Sequence, residues 1–259
     1  MRSRVGVLAL AITALAAASL ASATVIQQGN LRITVLSQVL PYKLPRTGTA
    51  PIAVFVSGHL DAPHGGIPPQ LQEMTVEVNK HGLLRSKGLP TCPLRALQPA
   101  STERALASCG DAVIGAGQFW AHIVLPDQGA YGTHGRLLIF NGRQGGKPVI
   151  FTHIFTANPF FSSFVIPFAI QKVDHGAYGT KLTASLPQAL GDWGYVDRIK
   201  LTLQRKYTWK GRQLSYFNAG CPAPKGTKRT VFPLALASFD FSEGVSVSAK
   251  VEKACAVSE

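Results

Sequence analysis

Carboxylates are scarce in this chain. Of its 259 residues only 13 are Asp or Glu, against 26 Lys and Arg. None lies between Gln128 and Val173, and none between Asp197 and Asp240. That leaves little material for hydrolysis by paired carboxylates, which must flank one scissile bond. Cysteine is limited to four residues with no Cys-x-x-Cys spacing, which argues against a thiolate metal site. No Gly-x-Ser-x-Gly elbow, no Ser-x-x-Lys and no phosphate-cradling glycine loop occurs. Beyond residue 20 no apolar run is long enough to cross a bilayer as a helix. Charged residues make up only 15% and apolar residues 46%, so a core can form and extensive disorder is excluded.

What is present begins with an address. Arg2 and Arg4 precede an uncharged stretch from Val5 to Leu20, closed by Ala21-Ser22-Ala23. This is the three-part pattern of a secretory signal, with cleavage expected after Ala23. The first cysteine is Cys92, so no lipid-attachment cysteine follows the cleavage point. We expect residues 1–23 to be removed and residues 24–259 to form one β domain, secreted or held at the cell envelope. A disulfide-bridged insert is expected near residues 83–111.

In an exported chain, four cysteines are read as two bridges. Of the three pairings, Cys92–Cys109 and Cys221–Cys255 are expected, because each is close in sequence and encloses a self-contained unit. Each closure would contribute about 3–4 kcal/mol on the loop-entropy view. The segment from Pro99 to Cys109 reads as a short helix, with Ser101 or Thr102 as its cap and Gly110 at its end.

Elsewhere the pattern is alternation, the period of a half-buried strand. Met74, Val76 and Val78 alternate with Thr75 and Glu77, and Val245, Val247, Ala249 and Val251 with Ser246, Ser248 and Lys250. From Tyr195 to Lys210 one strand would bury Ile199, Leu201 and Leu203 and show Arg198, Lys200, Lys206 and Lys210 to solvent. Twenty-five glycines and 17 prolines punctuate many short segments. We therefore expect an all-β fold, an antiparallel β-sandwich or a closed β-barrel of about a dozen strands with one short helix.

Without Arg2 and Arg4 the chain carries 24 basic and 13 acidic residues, a formal charge of +11. Much of the excess lies between Arg198 and Arg229. Such a surface attracts anionic polymers or a membrane surface, and outside the cytoplasm nucleic acid is not the expected partner. The leading expectation is a non-enzymatic binding or structural module that meets an anionic envelope component through Arg198, Lys200, Lys206 and Lys210.

Two alternatives remain. One is an extracytoplasmic hydrolase. His59, Asp61 and His64 lie within six residues, on what reads as a loop after a strand at Ile52–Gly58, and could ligate a metal. The spacing matches no metal signature, and Pro63, Gly65 and Gly66 also make a plain turn. The carboxylate variant would use Asp192 and Asp197, which flank Trp193 and Tyr195. The other alternative is a lipid-binding β-barrel whose phenylalanines line a cavity. Six of the 13 phenylalanines lie in Phe151–Phe168. Phe160 and Phe161, beside an Asn158-Pro159 turn, could project outward and meet a membrane or a partner. His153, between Phe151 and Phe155, reads as a core histidine.

Three segments, Gly88-Leu-Pro-Thr-Cys-Pro-Leu, Ala107-Ser-Cys-Gly-Asp-Ala-Val-Ile-Gly and Cys221-Pro-Ala-Pro, resemble a group of uncharacterised exported proteins from GC-rich actinobacteria. The resemblance covers most of the mature chain. It implies no activity and carries over no functional residue.

Overall fold

Alternation builds most of this molecule. In the computed structural model, which describes residues 22–124, 129–158, 161–186 and 194–258, 66% is strand and 8% is helical. The chain is all-β with one short helix, as its periodicity predicts. In order, the strands are β1 (Ser22–Gln28), β2 (Leu31–Leu40), β3 (Lys43–Pro45), β4 (Ala50–Pro51), β5 (Ala53–Asp61), β6 (Leu71–Asn79) and β7 (Gly82–Leu84). Helix α1 (Thr102–Cys109) follows, then β8 (Val113–Ile123), β9 (Tyr131–Gln144), β10 (Lys147–Thr156), β11 (Ser162–His175) and β12 (Tyr178–Ser185). The remainder comprises β13 (Gly194–Leu203), β14 (Lys206–Trp209), β15 (Arg212–Ser215), β16 (Phe217–Ala219), β17 (Arg229–Phe241) and β18 (Ser246–Ser258).

Thirteen strands share one sheet, in the order β1-β2-β5-β13-β8-β9-β10-β11-β12-β6-β17-β18-β3. The run β8 to β12 is the meander that its hairpin turns predict. Every pairing is antiparallel except β18 with β3. The expected sandwich or closed barrel is corrected here: the sheet curls into a half-barrel and is neither. Its ends do approach each other. Thr24 Oγ1 donates to the Lys250 carbonyl at 3.2 Å, joining β1 to β18. Leu31 and Ile33 from β2 pack with Phe241 and Val247 across the same seam. Among the described residues, side chains rather than a backbone ladder cover this seam, and β3 takes the outer edge of β18 only at Ala256–Ser258.

The curl defines an inside and an outside. Phe119 and Ala121 of β8, Leu137 and Ile139 of β9, and Ile150 of β10 belong to the inner core. One end is plugged. Strands β4, β16 and β7 form a second sheet there, β14 and β15 a hairpin, and Tyr216, Phe217, Leu44, Ile52 and Leu89 fill the space between. We call this end the floor. The other end, the rim, is where β8 gives way to β9 and β10 to β11. Lys253 of β18 is inside the wall as well, 7% exposed, with its Nζ 5.7 Å from the Tyr42 ring.

Both expected disulfides form, Cys92–Cys109 and Cys221–Cys255. The first ties α1 to its entry segment, with Ser101 as the N-cap accepting from the Arg104 amide. The bridged excursion lies on the outside of the sheet. Leu97, Ala100 and Ala105 cover Leu138, Phe140, Val149, Phe151 and Val165 there. His153 is fully buried beneath it, the core histidine that the sequence predicts.

The single strand expected over Tyr195–Lys210 is two. Strand β13 stops at Leu203 because the next backbone groups have other partners. The Gln204 amide donates to Ile114 and the Arg205 carbonyl accepts from Tyr216. The chain therefore leaves the main sheet and re-forms as β14. Strand β5 is longer than expected, because Thr34 and Arg198 pair with His59 on either side and Arg32 pairs with Asp61.

Candidate functional site

The outward row of β13 meets an aromatic ring. In the register of β13 with β8, Arg198 stands opposite Trp120 and Lys200 opposite Gln118. The Arg198 guanidinium lies 5.7 Å and the Lys200 ammonium 5.8 Å from the Trp120 ring centre, within cation–π range. On the far side of β8, Arg136 pairs with Gln118 and His134 with Trp120.

Beside this ring the outer face is hollowed into a shallow depression of about 640 Å³. It is lined by the small residues Ser57, Ala116 and Thr202 together with Phe55, Arg136 and Lys200. Gly117 holds β8 close to β13 at this point. A Cβ there would stand 2.0 Å from the Lys200 carbonyl oxygen, so no larger residue fits without moving the backbone.

Strand β13 carries a bulge next to this row, with Asp197 as the extra residue. The bulge re-aims its polar groups. His59 Nδ1–H donates to the Asp197 carbonyl at 2.9 Å. The Asp197 carboxylate lies 3.6 Å from His122 Nδ1, and the His122 ring stacks on Tyr195 at 5.0 Å. Burial raises the Tyr195 phenol above its ordinary pKa, and the Asp197 charge adds to the rise. Asp197 Oδ1 and His122 Nδ1 are buried without a hydrogen-bond partner.

The loop expected to carry His59, Asp61 and His64 is corrected. His59 and Asp61 lie inside β5, not in a loop, and Asp61 is committed elsewhere. Its carboxylate accepts from Arg32 Nε at 3.0 Å and from Arg32 Nη2. That hydrogen bond holds the Asp61 carboxyl below the ordinary range and raises the Arg32 guanidinium. His64 sits in the following turn, its amide donating to Asn30 Oδ1 at 2.8 Å. Among the described residues no three His, Cys, Asp or Glu side chains come together as a metal site. Asp192 and Trp193 lie outside the described residues, as does Phe160. Phe161 is 82% exposed and stacks on Phe155 at 6.3 Å.

Lys206 and Lys210 do not continue the row of Arg198 and Lys200. They sit on the β14–β15 hairpin, exposed. A second tryptophan has the same surroundings as the first: Trp209 has Lys87 at 5.2 Å and Lys210 at 5.1 Å from its ring. Neither Trp120 nor Lys87 stands out in the sequence. For Trp120 the legible signal was a tryptophan between Gln118 and His122 on a polar strand face, one of only three tryptophans in the chain, whereas Trp209 shares the apolar face of β14 with Tyr207 and packs against the core. No helix among the described residues is long and apolar enough to cross a membrane. No family model, no curated protein and no solved structure matches this chain.

Proposed function

We infer that this chain is an exported, non-enzymatic binding module that holds an anionic polysaccharide of the cell envelope on its outer face. The observation that carries this reading is Trp120 between Arg198 and Lys200, beside a wide and shallow depression. A partly exposed indole offers an apolar plate to the C–H face of a sugar ring. Two cations beside it suit a carboxylate, sulfate or phosphate on that sugar or the next. The depression is open and spans several strands, which fits a polymer lying along a surface better than a small molecule enclosed in a cleft. Trp209, with Lys87 and Lys210, repeats the arrangement, and two weak sites on one polymer reinforce each other. Lys206 adds to the same field.

Export is part of the proposal. Cleavage after Ala23 would leave Thr24–Gln28 of β1 in the sheet, and two disulfides fit an oxidising compartment. Mass measurement of the processed protein should give an N-terminus at Thr24.

The test is binding to a polyuronate at low and high salt, read by Trp fluorescence. Wild-type binding should weaken as salt rises. The Arg198→Glu/Lys200→Glu double variant should lose it, and Lys206→Glu alone should weaken it by a smaller factor. Equal binding of a neutral glucan, or indifference to the double variant, would refute the reading.

A further inference from the structure

Three of the chain's seven histidines surround Trp120. His59 of β5 stands opposite Arg198, and His134 of β9 stands opposite Trp120. One rung across four neighbouring strands therefore reads His59, Arg198, Trp120, His134. Neighbouring strands are about 4.8 Å apart, so His59 and His134 each lie one strand from the Arg198–Trp120 pair. His122 follows Trp120 by two residues on β8. It alternates with the buried Phe119, Ala121 and Ile123, which puts it on the same face as Trp120.

Two of these rings are tied to the bulge of β13. His59 Nδ1–H donates to the Asp197 carbonyl, which leaves Nε2 as the nitrogen that can take up a proton. His122 Nδ1 lies 3.6 Å from the Asp197 carboxylate, and neither Nδ1 nor Asp197 Oδ1 has a hydrogen-bond partner. A proton on His122 Nδ1 would face that carboxylate and turn an unsatisfied contact into an ion pair. His134 is exposed. The groups facing His122 are thus Tyr195, Asp197 and Arg198 from β13 and His134 from β9, with His59 from β5 beyond the bulge. The other carboxylate of this region, Asp61, is already paired with Arg32.

We propose that His59, His122 and His134 gate the polysaccharide face by pH, so that it holds its anionic polymer tightly in mild acid and loosely near neutral pH. The inference rests on the polysaccharide reading and adds its regulation. Histidine is the side chain whose charge ordinarily changes between pH 5 and pH 8. Near neutral pH the face sets Arg136, Arg198 and Lys200 against the Asp197 carboxylate. Three imidazolium charges on the same four strands would double its cations and add no anion. The field that attracts the polymer would rise accordingly.

The test is calorimetric binding of the intact protein to a polyuronate and to a sulfated dextran, at about pH 5.5 and about pH 7.5 in the same salt. The sulfate esters keep their charge over this range, so a gain seen with both polymers belongs to the protein. Affinity should be about tenfold higher at the lower pH, and the gain should shrink as salt rises. His59→Gln/His122→Gln/His134→Gln should abolish the ratio between the two affinities. His175→Gln, whose ring pairs with Glu77 on β6, should keep it in full. Circular dichroism at both pH values checks folding. The exposed His134→Gln change alone should remove part of the gain, which keeps the test decisive if the triple variant folds poorly. Equal affinity at the two pH values, or a gain that survives in the folded triple variant, overturns the gating and leaves the polysaccharide reading standing. A gain with the polyuronate alone also overturns it, since the polymer would then be the group that titrates. Binding of neither polymer at either pH overturns both.

Discussion

His153 Nε2–H donates to the Ala100 carbonyl at 3.0 Å, beneath the excursion bridged by Cys92 and Cys109. The other ring nitrogen, Nδ1, is buried without a partner, so the imidazole is held neutral in one tautomer. Burial pushes its pKa below the ordinary 6.5, and the bond to Ala100 offsets only part of that. The unfolded chain therefore binds a proton more readily than the folded one. Stability from this group is complete above pH 6.5 and is lost as pH falls below it. Thermal melts from pH 7 to pH 5 should show a falling midpoint, and His153→Gln should flatten that slope. Equal slopes in both proteins would assign the pH dependence to other groups.

Gly88 has φ +83°, and a Cβ there would stand 2.2 Å from the Trp209 ring. Gly88→Ala combines a left-handed backbone with overpacking. It should cost about 2–4 kcal/mol. Urea denaturation followed by Trp fluorescence would measure it, and a cost below about 1 kcal/mol would show that the Trp209 ring shifts easily.

Lys253 is a charge inside the wall, with the Tyr42 ring for company. Burial lowers its pKa, a sign that the protonated form is poorly solvated there. Lys253→Met keeps most of the stem and removes the charge. It should leave stability unchanged or raise it by about 1 kcal/mol near neutral pH. A marked loss would mean that the ammonium has a role that the Tyr42 contact does not capture.

Cys221 and Cys255 are 34 residues apart in sequence, and both are buried at the floor. Replacing both with Ala should cost about 3–4 kcal/mol. Cys92 and Cys109, separated by 17, close a shorter loop and should cost somewhat less when replaced. Chemical denaturation of the two double variants would rank them.

Local pattern reached much of this fold. The alternation at Val247, Ala249 and Val251 placed β18 correctly, and Ser101 capped α1 as its position predicts. The outward placement of Arg198 and Lys200 was legible because β13 has period two. What lay beyond reach was which strands meet. Trp120 stands opposite Arg198 only because β13 inserts between β5 and β8, far from its neighbours in sequence. No local signal specifies that order. The break after Leu203 was hidden for a similar reason, since its cause is hydrogen bonding to Ile114 and Tyr216. His59 and Asp61 looked like loop residues because Pro63 and two glycines follow at once. Pairing with Thr34, Arg198 and Arg32 carried the strand up to that turn.

All four cysteines of the chain lie toward one end of the barrel. Cys92 is tied to Asn141 at the far end of β9, and Cys255 pairs with Thr230 where β17 begins. The covalent restraint is thus graded along the barrel axis. Strand ends at the rim can separate and reclose by local fluctuation while the stapled end keeps its spacing. Amide exchange should then slow progressively from Ile123 toward Val113 within the single strand β8. One continuous sheet would behave as a stiff base that carries a compliant lip.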